Sequence, residues 1–135
     1  MAFGLRATVR QQPLDVVARV RAALAAEGLV VLNTTDVAAT LEEAFGLEIP
    51  PQIALGVCSA PLAAAALRAD PSVGLLVPCS IIIRAEADDR TTIEAPILSM
   101  IVAITGDRTL EPVVTDATNR LRAAFGRITA DDQDI

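Results

Sequence analysis

Hydrophobic and polar positions alternate along the first ten residues. Phe3, Leu5, Ala7 and Val9 fall on one face of an extended chain, and Arg6, Thr8 and Arg10 on the other. This pattern predicts an opening strand of an antiparallel sheet, with one face solvated or turned to a partner. The spacing then becomes helical. Pro13 suits a first helical turn, and a helix over 13–27 turns Leu14, Val17, Val20 and Leu24 inward, with Asp15 able to pair with Arg19 and Gly28 at the stop. The continuous apolar run Leu29-Val30-Val31-Leu32 reads as a short central strand. Thr35 or Asp36 caps a second helix that buries Val37, Leu41, Ala44 and Phe45 and ends at Gly46. Pro50-Pro51 leads in extended form into a strand from Ile53 to Cys58.

Ser59 caps a third helix with Pro61 in its first turn and Asp70-Pro71 at its close. This helix, Ala60 to Ala69, is expected to lie against the sheet through Leu62, Ala65, Ala66 and Leu67. Ser80 to Glu86 and Thr91 to Ala95 form a hairpin about Asp88-Asp89. The run from Ile97 to Ile104 fits either a helix begun at Pro96 or a buried strand, and periodicity does not separate the two in so short a segment. After a turn at Gly106-Asp107, Thr109 caps a final helix with Leu110, Val114, Ala117, Leu121 and Phe125 in register, ending at Gly126. Residues 129–135 read as a frayed acidic tail.

These elements alternate without a repeat or linker. They predict one domain over 1–128, of the α+β class: a two-layer sandwich of a mainly antiparallel sheet with helices packed on one face. Length changes nothing in this picture, since 135 residues suit one core. Composition does. Only 3 residues are aromatic, all Phe, so the core must be built from Ala, Val, Leu and Ile. There is no His, Tyr, Trp or Lys, and all 11 basic residues are Arg. The arginines are scattered, which fits codon usage better than an anion site. A net charge of -6 opposes binding to nucleic acid or to an anionic membrane surface, and stacking aromatics are missing as well. No run approaches the length of a membrane span, and the alternating start is unlike a signal peptide. The expected setting is cytoplasmic, where two cysteines stay reduced.

The chemistry is concentrated between Pro50 and Arg84. Cys58 ends one strand and Cys79 begins the next, with the third helix between them. Free cysteines are commonly small core residues. The alternative is a thiol pair for redox work or a soft metal. Twenty residues separate the two, which is not a C-x-x-C motif, and no His completes a zinc site. Two thiolates alone suit Cu(I), and Cys58 precedes a helix N-terminus that favours thiolate. Ser59, at the same helix start, suits either its own helix cap or a small anion. The acidic pairs Glu42-Glu43 and Asp88-Asp89, and Glu86 with Glu94 across the hairpin, read as solvated faces. No G-x-S-x-G, P-loop or G-x-G-x-x-G motif occurs, so hydrolase, kinase and dinucleotide enzyme classes are not expected, and the cofactor is unknown.

The segments Gly56-Val57-Cys58-Ser59-Ala60-Pro61-Leu62, Ala69-Asp70-Pro71 and Gly74-Leu75-Leu76-Val77-Pro78-Cys79, with the helix from Asp36 to Gly46, resemble the domain of unknown function 302 family. Its members typically carry Gly-Ala-Cys-Asn-Pro-Pro-Leu, Ala-Asp-Pro and Gly-Leu-Leu-Leu-Pro-Cys at these places. Ser59-Ala60 departs from the family's Asn-Pro, keeping the cap and losing the amide. The resemblance spans about Gln12 to Phe125. It implies a small α+β fold that tends to dimerise, and no established activity. Within these segments Cys58, Ser59, Pro61, Asp70, Pro78 and Cys79 are the candidates for ligand binding or redox chemistry, with Cys58 and Cys79 as the candidate metal ligands.

The function expected is a homodimeric binding or sensing module for a small ligand, without catalysis; the alternative is a thiol-dependent redox or soft-metal protein. The dimer is expected because the opening strand and the hairpin leave sheet edge or face to be covered. The acidic charge also yields a direct prediction. At low salt and micromolar protein, neither duplex nor single-stranded nucleic acid should shift in an anisotropy titration, and saturable binding would contradict it.

Overall fold

The structure, a computed structural model, describes residues 4–130. Phe3 and residues 131–135 of the acidic tail lie outside the described residues. Five strands form one antiparallel sheet: β1 (Gly4–Val9), β2 (Val30–Asp36), β3 (Gln52–Cys58), β4 (Cys79–Ala87) and β5 (Arg90–Pro96), in the order β1-β5-β4-β3-β2. The five α-helices among the described residues are α1 (Pro13–Ala26), α2 (Val37–Phe45), α3 (Ala60–Ala69), α4 (Met100–Thr105) and α5 (Glu111–Ala130). Short 3-10 turns follow α3 at Pro71–Leu75 and precede α5 at Arg108–Leu110. The α+β sandwich expected from the sequence is the fold observed.

Strand pleating decides where the core sits. Ile53, Leu55 and Val57 of β3, Ile81 and Ile83 of β4, and Ile93 and Ala95 of β5 all point to one face and are buried. Val16, Val20 and Leu24 of α1, and Val114, Ala117, Leu121, Ala124, Phe125 and Ile128 of α5, cover that face. The predicted register of the opening strand holds, with Ala7 and Val9 buried and Arg6 and Thr8 exposed. On the opposite face Arg84 bridges Glu86 at 3.2 Å and Glu94, and Arg6 reaches Glu86 at 3.2 Å. Glu86 and Glu94 are thus spaced by arginines. A hydrogen bond from Thr92, with Arg84 and Arg6 adding, outweighs partial desolvation and holds the Glu86 carboxyl below its usual range.

Several expectations are corrected. Leu14 is 74% exposed, and the inward stripe of α1 is Pro13, Val16, Val20, Ala23 and Leu24. Arg19 donates to Gln11 Oε1 and to the carbonyl of Ile128, tying α1 to the end of α5. Of the run Leu29–Leu32, Val30 to Leu32 belong to β2, an edge strand and not a central one. In α2 no residue is buried, and Phe45 is 78% exposed. The apolar stripe is present in the sequence, but α2 follows the edge strand, where no further layer covers it. Asp36 does cap α2, accepting from Ala39 N at 2.9 Å, and Gly46 ends it at φ 65°. The β4–β5 hairpin lies inside the sheet, so the edges are β1 and β2.

The segment open to two readings is a turn followed by α4. Asp107, and not Thr109, caps the turn before α5, accepting from Thr109 N at 2.9 Å. Helix α5 continues through Gly126, so Thr129 is helical and bonds to the carbonyl of Phe125 at 3.1 Å. Helix α3 buries Leu62 and Ala66, whereas Leu67 is 40% exposed; its main backbone neighbours are α5 and the 3-10 turn after it. Ala66 sits at this close approach with no exposure. Ala66→Leu should therefore overpack the junction and lower unfolding free energy by about 1–3 kcal/mol in denaturant titration. An unchanged midpoint would contradict this packing of α3.

Candidate functional site

Strands β3 and β4 pair so that Val57 stands opposite Cys79, while Cys58 stands opposite Val30 of β2. Successive residues on a strand point to opposite faces. Cys79 therefore shares the inner face with the buried Val57, while Cys58 closes β3 beside it and borders the same small cavity as Cys79. The two cysteines are neighbours without being a facing pair. Both are half-buried and free. The Cys79 thiol donates to the carbonyl of Leu76 at 3.5 Å, and burial, with the nearby Cys58 adding, pushes its pKa up.

Beneath these strand ends lies a cavity of about 20 Å³, bordered by Cys58, Ser59, Leu62, Val77, Cys79 and Leu121 among others. It has room for about one water molecule. Its lining is almost wholly apolar, and such small voids stay dry. Ser59 is buried and turned to its own helix, where its hydroxyl accepts from Leu62 N at 3.4 Å. Asp70 accepts from Ser72 N at 2.9 Å and so caps the 3-10 turn. Pro61, Asp70 and Pro78 are exposed and do not border the cavity. Of the six candidates the structure thus brings three together, Cys58, Ser59 and Cys79, around a space too small for an organic ligand. Among the described residues no group of three or more His, Cys, Asp or Glu is arranged to hold a metal ion.

A second space was not foreseen. A groove of about 540 Å³ runs between the end of β5, the start of β1 and one side of α5. The 96–99 turn after β5 supplies Ile97, Leu98 and Ser99; α5 supplies Val114, Thr115, Thr118, Asn119, Leu121 and Arg122. Positions 114, 118 and 121 share a helical stripe, flanked by 115, 119 and 122. One side of the helix therefore carries an apolar seam with a polar margin. The sequence held a faint signal of this in V-T-D-A-T-N-R-L-R from Val114 to Arg122, where polar residues interrupt the apolar spacing. Arg120 on the same helix is already used, donating to Asp116 at 2.9 Å and to the carbonyl of Glu27 at 2.8 Å beyond α1.

The family described as "Domain of unknown function DUF302" matches residues 5–128. The chain belongs to the DUF302 family. A crystal structure of an uncharacterized conserved DUF302 protein from Bacillus stearothermophilus superposes with a TM-score of 0.82 at 29% identity, covering 95% of this chain and 99% of that one. No curated protein matches the chain. The DUF302 fold thus extends over the sheet, α1 and α5, including both cysteines and the groove. No helix among the described residues is long and apolar enough to cross a membrane.

The buried thiol generates a pH prediction. A Cys79 pKa raised by folding stabilises the fold fully below the unfolded thiol value, near ~8.5. That contribution is lost as pH rises through the folded value, with a slope of at most about 1.4 kcal/mol per pH unit for one proton. Chemical denaturation between pH 7 and 10 should show this alkaline loss, and Cys79→Ala should flatten it. An equally steep loss in the variant would contradict the assignment.

Proposed function

We propose that this DUF302 chain is a homodimeric binding module without catalysis, which takes a small molecule in the groove between α5 and the β1–β5 end of the sheet. The observation that carries this reading is the groove's volume of about 540 Å³, within the range usual for small-molecule sites. Its lining mixes an apolar floor with a few polar groups, the common composition of such sites. The hydroxyls of Ser99, Thr115 and Thr118 have no carboxylate among the lining residues to act as their base, which supports binding over catalysis. The alternative, a thiol-dependent redox or soft-metal protein, is weakened by the strand register, which sets Cys79 opposite Val57 and Cys58 opposite Val30, so that the thiols are not a directly facing cross-strand pair. Two unbonded thiols fit a reducing, cytoplasmic setting.

The dimer reading is supported by apolar side chains that one copy leaves in water. Leu32, Phe45 and Leu47 are all at least half exposed, and they sit on the edge strand β2, at the end of α2 and just after it. A second copy covering them is the simplest closed arrangement. Light scattering should give twice the 14.1 kDa of the chain, and Phe45→Glu should return the mass to that of one chain with its circular dichroism intact. A single-chain mass for the unaltered protein across a wide concentration range would remove the dimer. For the ligand site, amide shifts in a fragment screen should cluster on Ile97–Ser99 and Val114–Arg122; shifts clustered instead around Cys58 and Cys79 would favour the thiol reading.

A further inference from the structure

Of the twelve residues lining the groove, none is acidic, although the chain carries 17 carboxylate side chains. One is charged, Arg122. Three other arginines, on α5 or in the turn before it, are engaged: Arg108 with Glu111 at 3.1 Å, Arg120 with Asp116 at 2.9 Å, and Arg127 with Glu27 at 3.3 Å. Arg122 has no ion-pair partner among the described residues. The polar margin around it is equally unspent. The side chains of Ser99, Thr115 and Asn119 make no hydrogen bond among the described residues, while Thr118 donates to the carbonyl of Val114 at 2.8 Å and retains its acceptor lone pairs. Opposite this margin the floor is aliphatic, from Leu5, Leu98, Val114 and Leu121.

We infer that the ligand is an amphipathic monocarboxylate: one anionic head at Arg122 and Asn119, and one aliphatic tail of several carbons on the Leu5, Leu98 and Val114 floor. This deepens the groove reading and rests on it. A guanidinium meets a carboxylate with paired donors, and an amide and hydroxyls complete the head's hydrogen bonds. A strongly acidic protein repels anions in general. A carboxylate-free groove holding one unpaired Arg is the place where that repulsion is locally reversed. A dianion or phosphate would bring more charge than one exposed arginine offsets, and a cation would meet no counter-charge. The tail supplies the remaining free energy by leaving water.

Isothermal titration with octanoate, with octanol as the same tail lacking charge and acetate as the head lacking a tail, separates the parts. Octanoate should bind saturably, acetate undetectably, and octanol at least fivefold more weakly than octanoate. Arg122→Gln, at an exposed position that leaves the fold intact, should weaken octanoate at least fivefold, remove its salt dependence and leave octanol unchanged. Arg122→Lys should restore part of the loss. Octanol binding as tightly as octanoate, or an Arg122→Gln variant that binds octanoate unchanged, would overturn the anionic head and leave the groove as a binding site. Failure of both octanoate and octanol to bind at millimolar concentration would overturn the groove reading together with the inference.

Discussion

One face of an antiparallel sheet must be kept dry by two helices, and the remaining features follow from how that is done. The inner sides of β3, β4 and β5 are aliphatic, built from Ile, Leu, Val and Ala. Without large aromatic rings, this layer can be covered only by helices that approach closely along their length. α1 and α5 do so with Val and Leu on α1 and a longer stripe from Val114 to Ile128 on α5. Arg19 and Arg120 then tie the two helices together through backbone carbonyls, Ile128 in one direction and Glu27 in the other. Burying the inner side of β1, β5, β4 and β3 gives each of these core residues its place. It also fixes the length of α5, which must run past Gly126 to finish covering β1.

The same constraint accounts for the two spaces in the molecule. Where α3 and the strand ends meet α5, small and branched side chains leave a void of about 20 Å³ beside the cysteines. Where α5 overhangs the turn after β5, the helix has no neighbour on that side, and the groove opens. The first is a packing remainder. The second combines an apolar floor with unspent polar groups. Chemistry that looks prominent in a sequence, two cysteines at strand ends, is in the fold two free, half-buried thiols beside a void too small for an organic ligand. Chemistry that looks ordinary, one arginine among eleven, stands without a counter-ion in a carboxylate-free groove.

Much of the architecture was legible in the sequence because it rests on local periodicity. The alternation at Leu5, Ala7 and Val9, the caps at Asp36 and Ser59, the hairpin about Asp88-Asp89 and the stripe of α5 are all decided within a few turns of chain. What was not legible depends on neighbours far along the chain. The run at Val30–Leu32 is as apolar as a central strand, yet strand order puts it at the edge. Phe45 belongs to a sound helical stripe, yet no layer lies above it. Glycine at 126 is a common helix stop, but tertiary burial of Ile128 carries α5 through it. The candidate site was half legible. The motif segments do meet around one cavity, but its small size comes from tertiary packing and the valine opposite each cysteine from β-pairing, and the groove joins residues more than ninety positions apart.

The central claim is that ligand chemistry in this fold resides at α5 and the turn after β5, and not at the cysteines. A crystal structure of the protein grown with octanoate tests it most directly. The account predicts density with its carboxylate within hydrogen-bonding distance of Arg122 and its tail against Leu98 and Val114, and an unoccupied void beside Cys58 and Cys79. A ligand seated at the cysteines, or density at neither place under saturating conditions, would contradict it.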